Sequence, residues 1–149
     1  MRLLRRRLPG RRAGAPRILV PFAGSLDRSV LDAAIRISRA EEAVLVPAYL
    51  LVVPLRYAED SPLRDQVKMA MPLLEAVEHA AVRAGVPVDA RIEKGRTLTH
   101  AVKRLWEAEH FDRIVAPAPA GGREGFSAKE LAWLLTNAPS ETLVLKPAA

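Results

Sequence analysis

Gly121, Gly122, Arg123 and Gly125 stand immediately before Ser127-Ala-Lys-Glu130. Glycines at a helix N-terminus let backbone N–H groups approach an anion, the helix dipole favours negative charge there, and an arginine adds further donors. The chemistry such a loop would serve is phosphate binding. The alternative is a flexible connection following Pro117-Ala118-Pro119-Ala120, since the loop has neither a lysine nor a full phosphate-loop pattern.

Other chemistries find no matching set of residues. His79, His100 and His110 lack a metal-ligand spacing among themselves. The absence of cysteine excludes disulfides, zinc–thiolate clusters and thiol nucleophiles. Ser25 lies in a Gly-Ser turn that lacks the G-x-S-x-G form and reads as a helix cap. Asp27 and Asp60 are isolated, whereas a phospho-acceptor or metal site needs several carboxylates at strand ends. The expectation is a non-enzymatic domain with no catalytic residue and no metal ligand. Trp106 and Trp133, on the third and fourth helices, read as core or dimer contacts.

Alternating strands and helices must position the glycine loop. RILVPFA, from Arg17, is a short apolar run ending at Gly24-Ser25, a buried strand entering a turn. From Leu26, apolar residues recur every three or four positions, with Ser25 or Asp27 as cap, which predicts a helix. Ala43 to Val53 is apolar without alternation, as in a parallel strand covered on both faces. Helical spacing returns from Leu63 to Gly85, with Pro72 expected to kink or divide the helix. Val88 to Ile92 reads as a third strand, Leu98 to Ala108 as a third helix and Arg113 to Ala116 as a fourth strand. The Ser127–Glu130 capping box starts a fourth helix, and Thr142 to Leu145 forms the last strand. This order predicts an α/β fold, an open and mostly parallel five-stranded sheet with helices on both faces. Ligands of such sheets bind beyond the strand carboxyl ends where strand order reverses, here between the loops 22–25 and 117–126.

The 149 residues allow one domain, and 50% apolar with 27% charged residues permits a packed core. The net charge of +6 suggests a nucleic-acid partner until it is located along the chain. Seven arginines and no acid lie in residues 1–17, leaving 16 basic and 17 acidic residues in 18–149. The division is therefore a basic, disordered tail over 1–16 and a near-neutral domain over 17–149. The tail is a candidate polyanion contact, although it has no aromatic interleaving. The longest apolar run, Ala43 to Leu55, has 13 residues including two prolines. That is short of the roughly 20 a transmembrane helix needs. The start of the chain lacks the apolar stretch of a secretory signal, so the expected compartment is the cytoplasm.

Several strings, in order and spacing, resemble the universal stress protein family over Arg17 to Pro147. RILVPFAGS is similar to the family's opening ILVPxDGS, and EEAVLVPA to its second strand. ARIEKG, a helix and FDRIVAP resemble its third strand, third helix and fourth strand, and APSETLVLKP its closing APCPVLVV. The resemblance implies ATP as the cofactor to consider and a homodimer paired through the last strand, Thr142 to Leu145. Nucleotide-binding members carry an aspartate in the first turn and a G-x-x-G-x9-G-S/T run after the fourth strand. Here Ala23 occupies the aspartate position, and Ala116-Pro117-Ala118-Pro119 stands where the first glycines belong. The only G-x-x-G is the displaced Gly122–Gly125, and the family's Gly-Ser falls at Ala128-Lys129. Pro47 and Ala48 replace the His and Val common in the second strand. What is implied is a universal stress protein-like regulatory domain with a degenerate nucleotide pocket. The alternative is a module binding ATP, AMP or another phosphate ligand through Phe22, Ala23, Gly121, Gly122, Arg123, Gly125 and Ser127.

Overall fold

A computed structural model describes residues 14–119 and 125–147. Five parallel strands, β1 (Arg17–Phe22), β2 (Val44–Val52), β3 (Arg91–Gly95), β4 (Arg113–Pro117) and β5 (Glu141–Leu145), form one sheet in the order β3-β2-β1-β4-β5. The crossovers are the helices α1 (Arg28–Ala40), α2 (Arg64–Arg83), α3 (Leu98–Ala108) and α4 (Ala128–Asn137).

Period-two alternation along the strands divides the core. Leu19, Val44, Val46, Ala48, Ile114 and Ala116 meet α3 and α4. Ile18, Val20, Leu45 and Val115 meet α1 and α2. Because both faces are covered, β2 reads as an unbroken apolar run. Trp106 and Trp133 stack at 5.6 Å and pack, half-buried, against the α3–α4 side of the core.

The third strand begins later than the expected Val88 to Ile92. Val88 makes only an isolated bridge to Leu45, and the ladder starts at Arg91, paired with Ala48. Pro47 supplies the reason. Leu45 donates to Pro87 and accepts from Asp89, so alternate residues of β2 point their backbone groups at β3. The next such residue is Pro47, which has no N–H to donate.

Pro72 does not divide α2, which runs unbroken from Arg64 to Arg83. Pro72 and Lys68 are exposed, so water can bond the carbonyl that the proline ring leaves unpaired. Gly85 (φ 77°) then ends the helix in a left-handed turn.

The amino edge of the sheet is closed by buried charge. Asp89 is fully buried, accepts a hydrogen bond from Arg17 at 2.9 Å and forms an ion pair with Arg91 at 2.5 Å. Glu109, beyond the end of α3, lies 3.3 Å from the same Arg17 and 2.6 Å from Arg91. The Arg17 backbone also exchanges hydrogen bonds with Asp112, its N–H donating to Oδ2 at 2.8 Å and its carbonyl accepting at 2.9 Å. This cluster lies at the opposite edge from the carboxyl ends where ligands of such sheets bind.

Candidate functional site

The chain runs from β1 to β2 on one side and returns from β3 to β4 on the other, so strand order reverses between β1 and β4. Their carboxyl ends define the crevice. One wall is the turn after β1. Phe22 contributes only backbone to it, because its ring is buried in the core, edge-to-face with Tyr49 at 5.5 Å. Ala23 is partly buried, and its carbonyl accepts from the Ser25 N–H at 2.8 Å across Gly24 (φ 75°).

The other wall is the loop after β4. Gly121, Gly122 and Arg123 lie outside the described residues. The base of the loop is closed: the Phe126 N–H donates to the Pro117 carbonyl at 2.9 Å, and Ala118 donates to Leu145 at 2.8 Å. Gly125 (φ 94°) lies so close to the incoming chain that a Cβ there would be 2.8 Å from the Ala118 and Pro117 backbones. Phe126 is buried beside Leu134 and Ala116 and fixes the start of α4.

The N-termini of the two helices that leave this crevice are both occupied by the chain's own carboxylates. Asp27, rather than Ser25, caps α1, and its Oδ1 accepts from the Ser29 hydroxyl at 2.6 Å and N–H at 2.8 Å. Those Ser29 bonds hold the exposed carboxyl below the usual carboxylate range. At α4 the expected box is present: Ser127 Oγ accepts from the Glu130 N–H at 3.2 Å, and Glu130 Oε1 accepts from the Ser127 N–H at 2.8 Å. The hydroxyl of Ser127 is thus engaged inside the helix. Helix geometry leaves Ala128 and Lys129 as the first-turn donors without an intrahelical partner. An incoming phosphate would meet two negative charges at the positions where a helix dipole is most useful to it.

No sequence motif marks two basic residues at the same edge. Lys94 Nζ donates to the Ser61 carbonyl at 2.5 Å, and Arg96 donates to Pro54 at 2.7 Å, so both pin the loop between β2 and α2. The Lys94-Gly95-Arg96 run straddles the end of β3, which is what brings both side chains to this edge. Among the described residues no group of three His, Cys, Asp or Glu is placed to hold a metal, and no helix is long and apolar enough to cross a membrane.

A doubly wound parallel α/β sheet with one crevice at its reversal point is the class these elements define. No protein-family model matches the sequence, and no curated protein does. Among solved structures, the chain is similar to universal stress protein UspA from Lactobacillus plantarum (15% identity, 90% of this chain and 99% of that one, TM-score 0.67). It is similar to a universal stress protein in complex with cAMP (18%, 91% and 100%, 0.67). A universal stress protein family protein from Arabidopsis thaliana with AMP bound aligns comparably (16%, 90% and 93%, 0.63). The chain carries a universal stress protein-like domain, in fold and in the order of its elements.

Proposed function

We propose that this chain is a non-enzymatic regulatory domain of the universal stress protein type, acting as a homodimer, whose nucleotide pocket is degenerate. The observation that carries the reading is the pair of carboxylates, Asp27 and Glu130, at the two helix N-termini of the crevice. They supply the charge that a phosphate would otherwise bring, and Ala23 offers no carboxylate or amide for a ribose or base.

The test is the thermal midpoint with ATP, AMP and cyclic AMP up to millimolar concentration. No shift is expected, whereas a ligand at 100 times its Kd would stabilise by ~2.7 kcal/mol. A saturable shift would overturn the reading in favour of the second one, a nucleotide-occupied module, which the AMP- and cAMP-bound neighbours support. In that event Glu130→Gln, which keeps a side chain able to serve in the box and removes its charge, should tighten binding.

The dimer would form through β5. It is an edge strand with Val144 38% exposed, and Leu135 of neighbouring α4 is 58% exposed. Exposed apolar groups on an unpaired strand edge are ordinarily covered. Sedimentation should give a dimer for the native chain and a monomer for Val144→Asp, with the fold retained because residue 144 is not in the core. A native monomer, or a dimer indifferent to Val144→Asp, counts against β5.

The six arginines within residues 1–16 are proposed as a polyanion contact. Deleting residues 1–12, which carry all six arginines and stop short of Ala15 and of Pro16, whose carbonyl accepts from Val44, should remove most salt-sensitive retention on heparin while leaving the thermal midpoint unchanged. Retention that survives the deletion would place the contact on the domain instead.

A further inference from the structure

On the face of the sheet opposite α3 and α4, a groove of about 440 Å³ separates α1 from α2. Three guanidinium groups border it, Arg28 and Arg36 from α1 and Arg83 from the last turn of α2. Arg28 is neutralised by Asp32, at 3.1 Å. Among the described residues, Arg36 and Arg83 have no ion-pair partner. Glu75 and Glu78 of α2 line a different groove, together with His79 and Val82. The floor between the arginines is apolar, formed by Ile35 and the small side chains of Ala80 and Ala84. Alanines there leave depth for a ligand body, and the volume falls in the range of about 300–1,000 Å³ usual for small-molecule sites.

We propose that this groove binds a phosphate monoester with an apolar or aromatic body, at a site separate from the crevice between β1 and β4. The charge complementarity is specific. Two uncompensated guanidinium groups match the charge of roughly −1.5 to −2 that a phosphate monoester carries at pH 7, and their planar donor forks suit its oxygens. The body lies over Ile35 and the alanines. A carboxylate would leave one guanidinium unmatched, and inorganic phosphate would leave the floor uncovered.

The test is a titration of the isotope-labelled full chain with phenyl phosphate, benzoate and inorganic phosphate, followed by amide chemical shifts. Phenyl phosphate should give saturable shifts at residues 35–36 and 80–84. Inorganic phosphate and benzoate should each bind about tenfold more weakly, corresponding to ~1.4 kcal/mol. The double variant Arg36→Glu/Arg83→Glu should lose about a hundredfold in affinity. Both side chains are exposed, so its thermal midpoint should match the native one. If charge reversal impairs folding, Arg36→Gln/Arg83→Gln serves, with about tenfold loss or more. Unsaturable shifts, undiminished binding to the double variant, or equal affinity for all three probes would each overturn the proposal. So would shifts confined to residues 22–25 and 125–129, because they would place the phosphate in the crevice.

Discussion

Replacing Gly125 with alanine is expected to destabilise the domain by about 3 kcal/mol, measured by urea unfolding at pH 7. Two effects add. At φ 94° an L-residue is strained whatever the surroundings, and the new Cβ would lie 2.8 Å from the backbones of Ala118 and Pro117. Neither backbone can yield cheaply, because Pro117 accepts from Phe126 and Ala118 donates to Leu145. Gly85 separates the two effects. It has φ 77° but nothing within 4 Å of its added Cβ, so Gly85→Ala should cost only the strain, about 1 kcal/mol. Equal losses in the two variants would show that the pinch at the base of the β4 loop contributes nothing. The larger loss at Gly125 should also loosen α4, because Phe126, the anchor of that helix, follows directly.

What was legible in the chain was local. The Ser127–Glu130 box is a four-residue pattern, and the buried runs of β1 and β2 follow from covering a parallel sheet on both faces, so neither needs knowledge of distant residues. The order of βα units likewise placed the crevice between the loops after β1 and β4. What stayed hidden depended on pairing across the sheet. The late start of β3 is set by Pro47, and its effect depends on which neighbour the missing N–H faces. Phe22 adjoins the turn and so reads as part of the site, yet strand alternation turns its ring into the core. Asp27 read as an isolated acid, and only the geometry around Ser29 shows it filling a helix N-terminus. The groove between α1 and α2 was equally invisible, since Arg28, Arg36 and Arg83 are ordinary surface charges until two helices 24 residues apart in sequence lie side by side.

The two edges of the sheet follow opposite designs. At the carboxyl edge, charges bind backbone: Asp27 and Glu130 cap helices, and Lys94 and Arg96 hold carbonyls of the β2–α2 loop. The caps are exposed to water and the lysine and arginine contacts are only partly buried, so each of these bonds competes with solvent. At the amino edge, charges bind one another out of water, and removing a single partner there should cost far more.

Asp89→Asn is accordingly expected to lose about 3 kcal/mol at pH 7, because it leaves the guanidinium groups of Arg17 and Arg91 sharing Glu109 alone. The pH dependence distinguishes loss of charge from loss of shape. Burial by itself raises the Asp89 carboxyl, but the hydrogen bonds and positive charges of Arg17 and Arg91 outweigh burial and hold it below the usual carboxylate range. A carboxyl depressed in the folded state contributes stability that is fully present above its unfolded value of about 3.9 and is lost as pH falls through the folded value. The native chain and Asp89→Asn should therefore differ by a constant amount from pH 7 down to about 5. Below pH 4 the native chain should lose its advantage progressively, so the two unfolding free energies converge. A gap that persists unchanged at pH 3 would mean that the asparagine disturbs packing around β3 rather than the charge balance. A gap near zero at pH 7 would mean that Glu109 alone satisfies both arginines.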